Sequence, residues 1–287
     1  LNARNNLGES AFMEACFYGH KDVVKLFLDH SEKIDLNAKD KNGGTAFMIA
    51  CQYGRKDVAK LFLDHSEKID LNARDKNGGT AFMKACISGH KDVVKLFLDH
   101  SEIIELRDEH GRTAFMEACF YGLKDVVKLL LEHSERIDLN ARTNNGRTAF
   151  MWACMDGHKD LIQSFLDHSS PNIDLNARDN HGSTPFMNAC LFGHKDVVQL
   201  LLEHSERIEL NARSNNGNTA FMWACQYGRR DVVKLLSEAE DVDTEEVTND
   251  HNNEDSTNDT NDKCQTPTSN QRFQRPAKEE EVKNIQA

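Results

Sequence analysis

The chain is poor in proline, with four residues in 287, and carries only two tryptophans and four tyrosines. No run of 18 or more apolar residues occurs, so no segment reads as a membrane-spanning helix. A basic excess is missing as well: the net charge is -12, which argues against a nucleic-acid backbone or an anionic membrane surface as partner. That charge is uneven. From Glu238 onward there are 14 acidic and 5 basic residues, against 33 acidic and 30 basic before it. The same final stretch lacks glycine and apolar periodicity and is rich in Asp, Glu, Asn, Thr and Gln. It has too little apolar surface to offset the entropy of ordering, so residues 239–287 are expected to form a disordered acidic tail. Recognisable catalytic sets are lacking too. Gly43-Gly44 and Gly78-Gly79 are not followed by the lysine and hydroxyl residue of a phosphate loop, and no Ser/His/Asp set stands outside repeated positions.

What is present is repetition. A segment of the form Gly-x-Thr-Ala-Phe-Met-x-Ala-Cys-x-x-Gly-His-Lys-Asp-Val-Val-Lys-Leu recurs seven times with small variations, its phenylalanine at Phe12, Phe47, Phe82, Phe115, Phe150, Phe186 and Phe221. The steps of 33 to 36 residues define units at about 5–39, 40–74, 75–107, 108–142, 143–178, 179–213 and 214–238. A period in this range means a solenoid of stacked supersecondary units, whose common use is binding rather than catalysis. The opening Leu1-Asn2-Ala3-Arg4 repeats the Leu-Asn-Ala-Lys/Arg that closes later units, which suggests a chain starting inside a longer array.

One unit shows the plan. Asp40-Lys41-Asn42-Gly43-Gly44 is turn chemistry, and Thr45 is a helix N-cap. A first helix follows from Ala46 to about Tyr53, with Phe47, Ala50 and Cys51 on one face; Gly54 ends it, and a second helix runs from about Lys56 to His65. An extended stretch leads to the next turn. The expected fold class is therefore all-α, with turn–helix–helix units stacked side by side. The third unit is shorter, Leu106 running straight into Arg107, and the fifth gains a residue near Ser170-Pro171; both should alter local stacking only.

Seven of the eight cysteines (Cys16, Cys51, Cys86, Cys119, Cys154, Cys190 and Cys225) hold one position per unit. Stacked helices lie about 8–10 Å apart, beyond the roughly 7 Å reach of a disulfide, so these read as small core residues of a reducing compartment. Cys86, His90, Asp92 and His100 could suggest a metal site or a nucleophile pair. The other units argue against it, because Arg55, Leu123 and Arg229 stand in the place of His90. No cofactor or metal is expected. His100 and its equivalents suit an outer-helix C-terminus.

These units resemble ankyrin repeats. Thr184-Pro185-Phe186-Met187-Asn188-Ala189 is the nearest copy of that family's inner-helix start, and Val126-Val127-Lys128-Leu129-Leu130-Leu131 matches its outer helix. Methionine replaces the histidine that in the family bonds within the turn, so that bond is expected to be absent. The resemblance implies an intracellular, cytoplasmic or nuclear, non-enzymatic and monomeric array. Its turn tips and inner-helix exits would line a concave groove that binds a protein. The alternative it implies is a regulatory or structural part of a larger protein such as a channel, kinase or ubiquitin-ligase adaptor.

The variable positions single out the groove candidates. All four tyrosines, Tyr18, Tyr53, Tyr121 and Tyr227, precede the glycine between the helices, as does Phe192; Phe17 and Phe120 sit one place earlier, and Trp152 and Trp223 share the slot after the methionine. Aromatics with a polar handle are enriched at binding hot spots, though packing between inner helices is the plainer reading of each. The resemblance adds that asparagines in such Leu-Asn-Ala loops, here Asn37, Asn72, Asn140, Asn176 and Asn211, can be substrates of an asparaginyl hydroxylase. The plainer reading is that they bond the loop backbone.

Overall fold

The computed structural model describes residues 3–100, 107–167 and 173–244. The tail from 245 on, the short third loop over 101–106 and the insertion near Ser170 lie outside the described residues. Within them are fourteen α-helices and no strand, only an isolated bridge between Arg4 and Ser10. The inner helices are α1 (Ala11–Tyr18), α3 (Ala46–Gln52), α5 (Ala81–Ile87), α7 (Ala114–Phe120), α9 (Ala149–Asp156), α11 (Pro185–Phe192) and α13 (Ala220–Gln226). The outer ones are α2 (Lys21–Asp29), α4 (Lys56–Asp64), α6 (Lys91–Asp99), α8 (Lys124–Leu131), α10 (Lys159–Asp167), α12 (Lys195–Leu202) and α14 (Arg230–Ser237). Each inner helix packs on its own outer helix and on the inner helices of the units beside it. The short connection makes each pair an antiparallel hairpin, leaving a hairpin end at the glycine and a loop end opposite it.

Every inner helix starts for the same reason. Ser10 and then six threonines, from Thr45 to Thr219, hold extended backbone, and each hydroxyl accepts from the methionine N–H three residues on at 3.2–3.4 Å. At Met187 the sulfur reciprocates, accepting from the Thr184 N–H at 3.5 Å. The bond expected to be lost with the family histidine is thus partly replaced there by a weak thioether acceptor. Six of the outer helices (α2, α4, α6, α8, α12 and α14) have no side-chain cap; Asp22, Asp57, Asp92 and their equivalents sit in the first turn, where the dipole favours an anion.

Burial comes from stacking. Phe47 lies between Phe62 of its own outer helix at 5.3 Å and Phe97 of the next at 5.6 Å, and Phe12 meets Phe27 and Phe62 in the same way. A column of rings runs through units 1–3 to Phe82, and Phe165 joins Phe115 and Phe150 further along; Leu130 and Leu201 take the ring's place in the outer helices of units 4 and 6. Each buried ring is worth about 3–5 kcal/mol against truncation to alanine. Beside it runs the cysteine column: Cys16, Cys51, Cys86, Cys119, Cys154 and Cys190 are free, buried thiols, and burial pushes their ionisation well above the usual thiol range. The stretch after four of the outer helices is not simply extended. Ser31–Lys33, Ser66–Lys68, Ser134–Arg136 and Ser205–Arg207 each make one 3-10 turn before the chain straightens. The repeating arrangement reaches past Glu238: Val242 is buried, and Asn211 holds Asp241 and Asp243.

Candidate functional site

The residues at the inner-helix exits form a row along the array, and their exposure divides them. Tyr18 is 59% exposed, and Phe17, Tyr53, Tyr121, Phe192 and Tyr227 are half-buried. Phe120, Trp152 and Trp223 are buried, at 5%, 7% and 6%. Neighbouring rings touch. Phe17 stands edge-on to Tyr53 of the next unit at 4.4 Å and to Tyr18 at 4.9 Å. Phe120 meets Tyr121 at 5.0 Å and Trp152 of the next unit at 5.2 Å, and Trp223 meets Tyr227 at 5.8 Å. Burial, and then the charge of Glu9, push the Tyr53 phenol above its usual range, so it is a hydroxyl donor at neutral pH.

Five of the exits are fixed by the residue that follows the glycine of the next unit. His90 Nε2 faces the Gln52 carbonyl at 2.9 Å, and His158 and His194 face those of Phe120 and Met155 at 2.8 Å. Arg55 and Arg229 donate through Nε to the carbonyls of Phe17 and Leu191, also at 2.8 Å. These histidines therefore link units rather than assist a thiol. The histidines at outer-helix ends play a different part. His65, His100, His133 and His204 bond through Nδ1 to the carbonyl four residues earlier, at 2.9–3.0 Å. Among the described residues no group of three or more His, Cys, Asp or Glu is placed to hold a metal ion.

Sequence comparison did not single out a polar cluster beside the turns. Arg112 bonds Asp108 at 2.7 Å and Glu117 at 2.8 Å, with Glu117 buried. One unit on, Arg147 stacks over the Trp152 ring at 5.3 Å and comes within 3.8 Å of Asp179 in the following unit. Burial lowers the Arg147 guanidinium's affinity for its proton, opposed by the attraction of Asp179. Asn188 Nδ2 and Trp152 Nε1 are buried there without a hydrogen-bond partner. The clue was available: these residues occupy the variable slots after the turn glycine and after the methionine.

The loop asparagines bridge units. Asn37 donates to the Lys68 carbonyl at 3.2 Å and accepts from the Asp70 N–H at 2.8 Å; Asn176 does the same with Arg207 and Glu209, and Asn211 with Asp241 and Asp243. Asn140 accepts from the Asp174 N–H at 2.8 Å. Asn72 donates its backbone N–H to the Asp70 carboxylate at 3.2 Å.

A sequence profile of ankyrin repeats matches residues 1–75, 67–143, 135–213 and 172–247. The chain belongs to the ankyrin-repeat family. Ankyrin repeats are in general protein–protein interaction modules and typically non-catalytic. No curated protein matches this ankyrin chain. No helix among the described residues is long and apolar enough to cross a membrane.

Proposed function

We propose that this ankyrin array binds a partner protein along its concave face, with the inner-helix exits as the contact row. The supporting observation is that Tyr18, Phe17, Tyr53, Tyr121, Phe192 and Tyr227 keep part of their rings in solvent along a row of exits, five of which bonds from the next unit pin in place. Rigid aromatics with a polar tip give contact area at low entropic cost. Phe120, Trp152 and Trp223 are buried beneath that row and act as its support. The column of buried free thiols favours a reducing, intracellular setting.

The test is a variant with Tyr18, Tyr53, Tyr121 and Tyr227 all changed to Ala, compared with the parent for the proteins it retains and for its thermal midpoint. Loss of a specific partner at an unchanged midpoint is expected. Retention of every partner, or collapse of the fold, would sink the proposal.

A further inference from the structure

Six junctions join the seven units, and five of them carry the exit bond from a His or Arg to the preceding unit's carbonyl. The junction between units 3 and 4 does not. Leu123 fills that slot and has no donor to offer the Ile87 carbonyl, and Ser88 Oγ is buried at the same exit without a partner. The third loop also lacks the Asn-Ala that would precede Arg107, so no asparagine is available to bridge to the fourth loop. Even the backbone bond between turns is long here: Glu109 N–H to the Asn77 carbonyl spans 3.4 Å, against 2.9–3.1 Å at the other turns. The helices still pack across this junction, α5 on α7 and α6 on α8, but its remaining side-chain polar contacts lie at the loop end, where Arg107 donates to the Arg142 carbonyl at 2.8 Å and stands 3.6 Å from Asp138, and Arg136 donates to the carbonyls of Leu98 and, at 3.0 Å, His100.

In a solenoid, stability is close to a sum of unit terms and nearest-neighbour interface terms, so one weak interface divides the array's cooperativity. We infer that the junction of units 3 and 4 is a built-in joint between two blocks, units 1–3 and units 4–7, released at the hairpin end and held along the loops. The aromatic exits fall on either side of it. Phe17, Tyr18 and Tyr53 belong to the first block and Phe120, Tyr121, Phe192 and Tyr227 to the second, with Ile87 and Ser88 between them. Opening the joint changes the spacing of the two groups without disturbing either.

The chain supplies its own reporters, because both tryptophans, Trp152 and Trp223, lie in the second block. Urea unfolding of the full chain, followed by tryptophan fluorescence and by helical circular dichroism, should give two transitions that do not coincide. The fluorescence slope should be that of four units. Leu123→His, which installs the ring found at the neighbouring junctions, should merge the transitions and raise the fluorescence slope by up to roughly 1.75-fold, the ratio of seven units to four. A single coincident transition in the unmodified chain, with the slope of the whole array, would overturn the joint and needs no variant to fold.

Discussion

The imidazole of His158 stands where a side chain on Gly122 would have to go. A Cβ added to Gly122 would meet the ring at 2.5 Å, and its φ of 67° already disfavours any side chain. The contact unites two features of the repeat: the glycine lets the next unit's ring approach, and the ring then reaches the Phe120 carbonyl. At the end of the array Gly228 has nearly the same φ, 64°, and nothing within 4 Å of its Cβ position.

That pair gives a controlled measurement. Gly228→Ala should cost about 1–2 kcal/mol, the left-handed backbone penalty alone. Gly122→Ala should cost that and the displaced ring and its hydrogen bond besides, about 2–4 kcal/mol in total. Denaturant unfolding of both variants decides it, since equal losses would mean that the ring moves aside freely.

Much of this was legible in the sequence because repeats compare themselves. Thr45, Phe47, Cys51 and Gly54 recur at fixed spacing, and each proves to be a cap, a stacked ring, a core thiol or a left-handed turn. Bonds between units were harder to read. The residue after Gly54 is Arg, His or Leu in different copies, which looks like freedom; Arg and His in fact do one job, reaching the same carbonyl, and only Leu123 departs from it. Asn37 and Asn176 were legible as loop formers but not as bridges, since their partners lie a full repeat away. The burial of Trp152 and Trp223 was likewise hidden, because a variable slot does not say whether its side chain faces a neighbour or solvent.

The cysteine column predicts how the array responds to alkali. Its buried thiols are held above their usual range, mainly by burial, whereas in the unfolded chain they ionise near about 8.5. Above that pH the unfolded state binds fewer protons than the folded one, so the thiols' contribution is complete below it and declines as pH rises. Each thiol should add up to about 1.4 kcal/mol of lost stability per pH unit. Tyr53 shifts in the same direction, so the control is specific: Cys154→Ala should lower the slope of stability between about pH 9 and 10 by one thiol's share. An unchanged slope would show that the thiol ionises in place.

Arg147 and Asp179 test what a half-satisfied buried pair is worth. Asp179 is buried, and one of its oxygens accepts from the backbone N–H groups of His181 and Ser183 at 2.9 Å. The other has no hydrogen-bond partner and faces Arg147 Nε at 3.8 Å. Arg147→Ala removes the guanidinium that faces that carboxylate and should cost about 3 kcal/mol, most of it from stranding the charge. Asp179→Asn keeps an oxygen for the two backbone donors while discarding the charge. Added to Arg147→Ala, it should therefore recover at least about half of the loss. A double-mutant cycle by equilibrium unfolding measures both; a single-variant cost below about 0.5 kcal/mol would mean that water already solvates the pair, as at an exposed ion pair.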